Sequence, residues 1–104
     1  MNKDYSRAIP QEWNEMAKVY EALGDEHRQR ILLTFEKDEE LSIKDIVEVS
    51  TLRRTAVVHH LKKLQDANVL TATKKGKFVF YKINPDIVKK TCENTIDYVN
   101  KHLM

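Results

Sequence analysis

Residues 53–83, RRTAVVHHLKKLQDANVLTATKKGKFVFYKI, change their hydrophobic period part-way along. The first half has helical spacing, and its apolar stripe consists of Val57, Leu61 and Leu64. This spacing predicts a helix from about Arg53 to Asn68. From Leu70 to Ile83, β-type residues flank a basic run with Gly76 inside it, which predicts a hairpin with a basic tip. We call these two elements the reading helix and the wing.

Three more helices are predicted upstream of the reading helix. The first runs from Gln11 to Leu23, and its apolar stripe is Trp13, Met16, Ala17, Tyr20 and Leu23. Gly24 ends it, and Asp25 can cap a second helix whose short apolar face is Ile31, Leu32 and Phe35. Ser42 and Asp45 have the spacing of a capping box, which predicts a short third helix that ends near Val49.

One more helix is predicted downstream of the wing, beginning at Asn84-Pro85. One face of it carries Val88, Cys92, Thr95, Ile96, Val99 and Leu103. The chain is therefore mainly α with a small β-hairpin, about five helices plus a wing. With 104 residues it has the size of one domain, which we assign to residues 11–104, and residues 1–10 form an N-terminal arm without periodicity.

Charge is distributed unevenly along the chain. Residues 52–82 contain eight cations and one anion, a net charge of +7, whereas the whole chain carries +2 and the remaining residues therefore carry −5. A basic middle between acidic flanks is typical of a phosphate-binding face. No apolar run is long enough to span a membrane, no signal peptide precedes the first helix, and one cysteine forms no internal disulfide, so we expect a cytoplasmic protein.

Four helices, a hairpin and a last helix make a winged helix-turn-helix, in which one α-helix fits the DNA major groove. The candidate base readers are the exposed N-terminal positions of the reading helix, Arg53, Arg54, Thr55, Val58 and His59. Further along the helix, Lys62 and Lys63 are candidate phosphate contacts. At the wing tip, Lys74, Lys75 and Lys77 can approach the backbone or minor groove.

Three stretches resemble the ArsR/SmtB family of repressors. They are YEALGDEHRQRIL at 20–32, VVHHLKKLQDANVL at 57–70 and KGKFVFYKINP at 75–85. The resemblance implies a homodimer that pairs its first and last helices across a two-fold axis. The implied interface residues are Trp13, Met16, Tyr20, Val88, Cys92, Thr95, Ile96 and Val99. Thr51 and Arg53 replace the family's usual turn Gly and Ser or Thr cap, and Val58 and His59 imply a different operator preference.

The metal-binding positions of the family are mostly lost. Its Cys-Val-Cys-Asp run corresponds to Ser42-Ile-Lys-Asp45, so both thiolates are missing. Its second site corresponds to Asp86, Val88, Val99 and His102, of which only two can donate to zinc. We therefore expect no metal and no cofactor, with Asp86 and His102 serving as helix-end charges. We also expect Cys92 to be a buried, inert thiol and not a redox sensor. We expect His60 to be a packed, hydrogen-bonded residue and not a base reader.

These residues favour a sequence-specific transcriptional regulator, a repressor that binds a pseudo-palindromic operator as a homodimer. Its partners would be double-stranded DNA and a second copy of itself, with no membrane and an effector that the sequence does not specify. The alternative is a winged-helix protein-interaction module that no longer binds DNA. An enzyme is not expected, because no phosphate-binding glycine loop, complete metal set or paired nucleophile and base is present.

Overall fold

A computed structural model describes residues 3–104, so Met1 and Asn2 of the expected arm lie outside the described residues. In chain order the elements are α1 (Gln11–Leu23), α2 (Glu26–Leu33), β1 (Leu41–Ser42), α3 (Ile43–Val49), α4 (Arg54–Asp66), β2 (Leu70–Lys75), β3 (Phe78–Ile83) and α5 (Pro85–His102). The five helices and the wing (β2 and β3) are confirmed. Residues 3–10 of the arm are exposed and contain no helix or strand.

The sheet has three antiparallel strands in the order β1-β3-β2, one more than the sequence predicted. The wing pairs Leu70 with Ile83 and Lys75 with Phe78 at its two ends. The added strand β1 is two residues long and pairs Leu41 with Tyr81. Because β1 runs directly into α3, this pairing attaches the helix-turn-helix to the base of the wing.

The hydrophobic core surrounds α4. Val57, Leu61 and Leu64 are fully buried, as their spacing predicted, and they pack with Val19, Ile31, Ile46, Val69, Leu70 and Tyr81. The helix is slightly shorter than the predicted Arg53–Asn68. Ala67 caps its C-terminus, and Asn68 has φ 63°, a left-handed conformation that turns the chain into β2.

Two predicted helix caps are confirmed. The Asp25 carboxylate accepts a hydrogen bond from the Arg28 N–H at 3.0 Å, and this bond lowers the pKa of Asp25. Ser42 and Asp45 form a reciprocal capping box, in which the Ser42 N–H donates to the carboxylate at 2.9 Å. That bond lowers the pKa of Asp45. Both caps fix where helices of the DNA-binding unit begin.

The predicted orientations of α1 and α5 are partly wrong. On α1 the core-facing residues are Met16, Val19 and Ala22, whereas Trp13, Ala17 and Tyr20 of the predicted stripe are exposed. On α5 the buried residue is Thr91, and the expectation of a buried Cys92 is wrong because its side chain is exposed in the protomer. Both helices carry apolar residues on two faces, and only one face of each helix packs against the core. None of the helices within residues 3–104 is long and apolar enough to cross a bilayer.

Candidate nucleic-acid interface

The N-terminal half of α4 presents one continuous exposed face. Arg53, Arg54, Thr55, Val58 and His59 are all exposed. Val58 keeps 42% of its surface accessible although Val57 beside it is fully buried. The exposed Val58 side chain offers methyl groups for apolar contact. It lies on the same face as the guanidinium groups of Arg53 and Arg54 and the hydroxyl of Thr55.

The turn between α3 and α4 is closed by a serine. The Ser50 hydroxyl donates to the Val47 carbonyl at 3.3 Å and accepts from the Leu52 N–H at 3.2 Å. Thr51 does not cap α4; the cap position is Arg53, and its side chain makes no capping bond. The Arg53 side chain is therefore not used by the helix it precedes.

The wing tip turns at Gly76, whose φ of 61° is a left-handed conformation that glycine adopts without steric cost. Lys74, Lys75 and Lys77 surround it and are exposed. Lys75 is held by Glu40, with its Nζ 2.7 Å from the carboxylate and 5.5 Å from the centre of the Phe80 ring. Glu40 belongs to residues 36–40, EKDEE, which we call the acidic loop and which lies beside the wing.

Half of the cations of the basic segment are paired. The ion pairs are Lys62–Asp66, Lys63–Glu21, Lys75–Glu40 and Lys82–Asp38. Within residues 3–104, Arg53, Arg54, Lys74 and Lys77 form no such pair. The sequence identified all eight cations as a group, but it gave no sign of this division, because three of the four partners lie in distant segments.

The inner side of α4 is tied to α2 by His60. Its Nδ1 lies 3.3 Å from Nη1 of Arg28, and its ring is half-buried, which confirms the prediction of a packed, hydrogen-bonded histidine. Arg28 itself was missed by sequence reasoning. It lies three residues after a recognised cap, but only the fold brings it to the end of α1 and to α4.

Comparison with known proteins shows a likeness to one family of regulators. Residues 25–72 match the model for bacterial regulatory proteins of the arsR family. The transcriptional repressor SdpR of Bacillus subtilis (strain 168) is 28% identical over 86 residues, which cover 83% of this chain and 94% of the repressor. The chain is therefore similar to the arsR family over residues 25–72. Like SdpR, its arsR-family relatives are transcriptional regulators, which confirms the prediction that it is not an enzyme.

Solved structures confirm the winged helix-turn-helix fold of this chain. An ArsR-like transcriptional regulator from Rhodococcus sp. RHA1 superposes with a TM-score of 0.74 at 26% identity, covering 85% of this chain and 81% of that one. A homodimeric winged helix-turn-helix DNA-binding domain from Mycobacterium bovis has a TM-score of 0.68 at 18% identity, covering 95% and 94%. The second likeness is one of fold alone.

The residues expected at an arsR-family dimer interface divide into three groups. Trp13 packs edge-on against Tyr98 at 5.1 Å, and the Tyr20 hydroxyl is hydrogen-bonded to Thr95, so α1 and α5 contact each other within the protomer. Cys92 and Ile96 are exposed, and Val88 and Val99 are half-buried. Met16 is only 3% exposed and has almost no surface left for a partner, because it faces inward from α1.

The two remaining candidate metal donors of the arsR-family pattern are far apart within one protomer. Asp86 lies in the first turn of α5 and His102 in the last, about 24 Å apart at 1.5 Å per residue. His102 stacks on Tyr98 with 4.8 Å between ring centres. Among the described residues of one protomer, no group of three or more His, Cys, Asp or Glu side chains could hold a metal ion.

Proposed function

We propose that this protein is an arsR-family transcriptional repressor that binds DNA sequence-specifically as a homodimer. The observation that carries the proposal is the exposed face at the start of α4, where Arg53 and Arg54 have no ion-pair partner among residues 3–104 and lie next to Thr55, Val58 and His59. An α-helix fits the major groove of B-DNA, arginine pairs with the guanine edge, and apolar groups contact the thymine methyl. In this proposal those residues read bases.

The wing supplies the second contact in this proposal. Lys74 and Lys77 are exposed on either side of the Gly76 turn, and neither has an ion-pair partner in the part of the chain that the structure describes. Ammonium groups at such a tip are suited to phosphates or the minor groove. Lys62 and Lys63, further along α4, would contact the sugar-phosphate backbone after releasing Asp66 and Glu21.

Dimerisation through α1 and α5 is supported by apolar side chains that the protomer leaves uncovered. Ile96 is 58% exposed, and Cys92, Tyr20 and Leu103 are exposed on the same pair of helices. The solved Mycobacterium bovis domain is described as homodimeric. A two-fold dimer would present two α4 helices to half-sites about 34 Å apart, one turn of DNA, on a pseudo-palindromic operator.

The proposed mode of action is cytoplasmic repression by occlusion of a promoter, without the metal sites usual in the family. SdpR, which is similar over most of the chain, is a repressor. The positions of the family's thiolate pair are Ser42 and Lys44, and neither residue offers the soft ligand that such a site needs.

DNA binding can be tested with purified protein. Selection of bound genomic fragments followed by sequencing would define the operator, and fluorescence anisotropy on it would give the salt dependence. About six phosphate contacts per dimer should give a slope of log K against log salt near −5. A slope near zero, or no selected sequence, would contradict the proposal and favour the winged-helix protein-interaction module.

The dimer can be tested with a matched pair of variants. Ile96→Glu places a charge on the exposed α5 face, whereas Leu33→Glu places one on α2, where Leu33 is 85% exposed. We expect the wild type and Leu33→Glu to sediment as dimers and Ile96→Glu as a monomer. The monomer should bind the operator about 100-fold more weakly, because it loses the second half-site. An Ile96→Glu protein that remains dimeric would place the interface elsewhere.

A further inference from the structure

The Arg28 guanidinium connects the end of α1 to α4. Its Nε donates to the Ala22 carbonyl at 2.8 Å, and its Nη2 donates to the Glu21 carbonyl at 3.0 Å. These carbonyls belong to the last turn of α1, where the Glu21 carbonyl also accepts a hydrogen bond from the N–H of the cap residue Gly24. The third nitrogen, Nη1, lies 3.3 Å from Nδ1 of His60. One side chain of α2 therefore joins three helices.

This geometry fixes the protonation state of His60. A guanidinium has five N–H donors and no acceptor, so the hydrogen bond requires a lone pair on Nδ1 of the imidazole. The ring is then neutral and carries its proton on Nε2. A proton added to Nδ1 would oppose two donors and place two positive charges side by side.

The charged and titratable groups around His60 come from three helices. From α2, Arg28 and the ring of His27, whose centre is 5.9 Å away, face the imidazole, and Asp25 at the α2 cap attracts a proton. From α4, the His59 ring is 5.7 Å away, and Lys63 forms an ion pair with Glu21 of α1. Desolvation is the largest influence and lowers the pKa of His60, outweighing Asp25. The imidazole is thus neutral at neutral pH.

We propose, building on the proposed DNA-binding function, that His60 is a positioning residue: its neutral imidazole, held by Arg28, sets the orientation of α4, and its protonation releases that orientation and weakens DNA binding. His60 adjoins His59 and Val58 in the same turn of α4 but faces inward. A rotation of this turn about the helix axis would displace every base-contacting side chain together. Base recognition requires those side chains to be placed within a fraction of an ångström.

The sign of the pH effect follows from the direction of the pKa change. Free imidazole titrates near 6.5, and the folded, DNA-competent arrangement holds His60 neutral to lower pH. Acidification below about 6.5 therefore favours any arrangement in which Arg28 and His60 have separated. One proton per protomer gives a slope of at most about tenfold per pH unit for each protomer, or about a hundredfold for the dimer, and we expect operator affinity to fall on the order of tenfold between pH 7.5 and 5.5.

The test is His60→Asn, measured by fluorescence anisotropy on the operator across that pH range. The asparagine Oδ1 takes the place of Nδ1 and accepts from Arg28, but it does not titrate. We expect this variant to bind within about threefold of the wild type at pH 7.5 and to lose the fall at pH 5.5. The matched control is His59→Asn, which removes the exposed imidazole. Because this variant leaves the Arg28–His60 contact in place, it should keep the fall in affinity at pH 5.5.

A second measurement needs no variant and no DNA. Titration of the wild-type histidine rings by NMR should give His60 a pKa below that of free imidazole. A His60 pKa at or above 6.5, or a fall in affinity that is unchanged in His60→Asn, would overturn the proposal. If the wild-type protein binds no DNA at any pH, the proposed function is refuted instead. A pKa of His60 below that of free imidazole would in that case still support the Arg28–His60 contact.

Discussion

The ion pair between Lys75 and Glu40 makes a specific prediction about affinity. Lys75 is 2.7 Å from the Glu40 carboxylate, so a phosphate must compete with Glu40 for the charge of this lysine. Removing the carboxylate charge by Glu40→Gln should therefore strengthen DNA binding. Lys75→Ala should weaken binding less than Lys77→Ala, since within residues 3–104 Lys77 has no carboxylate partner to leave.

The magnitude follows from the exposure of the pair. The Lys75 and Glu40 side chains are 56% and 37% exposed, and exposed ion pairs are worth about 0.2–1 kcal/mol. That range corresponds to roughly 1.4- to 5-fold per wing. A dimer releases two pairs, so Glu40→Gln should tighten operator binding roughly 2- to 30-fold. The gain should shrink as salt screens the pair.

The assay is fluorescence anisotropy with labelled operator at low and high salt, with Glu36→Gln as the matched control. Glu36 is an exposed acid of the same acidic loop, but its carboxylate forms no ion pair within residues 3–104. Both variants change the net charge equally, so the general attraction of DNA is the same in each. Equal gains in the two variants, or no gain in either, would refute the idea that Glu40 competes with DNA for Lys75.

Three further predictions concern specificity, metal response and stability. Arg54→Ala should cost about 1–3 kcal/mol of binding and relax preference at one operator position per half-site, whereas Lys77→Ala should weaken all sequences alike. A uniform loss in Arg54→Ala, measured on single-base operator variants, would show that Arg54 reads no base. Micromolar zinc or trivalent arsenic should not release the operator complex in anisotropy titrations; stoichiometric release by zinc that disappears in His102→Ala would reveal a zinc site. Ser42→Ala should lower the free energy of unfolding in urea by about 1 kcal/mol, and unchanged stability would mean that the capping box contributes nothing.

The order of helices and strands could be predicted because hydrophobic period and cap chemistry are local signals. Val57, Leu61 and Leu64 repeat at helical spacing, and Gly76 and Asn84-Pro85 mark the ends of strands. The two-residue strand β1 could not be predicted, because Leu41 and Ser42 are too few to show any period. Their pairing with β3 depends on the folded position of the wing.

The orientation of α1 and α5 could not be predicted for a different reason. Each helix has apolar residues around much of its circumference, so several stripes satisfy the same spacing rule. On α5, Thr91 and Cys92 are neighbours, yet Thr91 is buried and Cys92 exposed. The Thr91 carbonyl accepts from the Thr95 hydroxyl, which is also hydrogen-bonded to Tyr20 of α1. Tyr20 and Thr95 are 75 residues apart in the sequence, and their contact therefore selects which face of α5 is buried.

Acidic residues outside the basic segment reduce the number of lysines in it that are available to DNA. Glu21, Asp38 and Glu40 all lie outside residues 52–82, and in the fold each pairs with a lysine of that segment. DNA must compete with these internal carboxylates for the lysines, which lowers the sequence-independent attraction of phosphates. Arg53 and Arg54 at the start of α4 have no such competitor among the described residues. Specificity is a difference between affinities. If the proposed base contacts are made, carboxylates that compete for the lysines and leave the arginines available would favour the operator over other DNA.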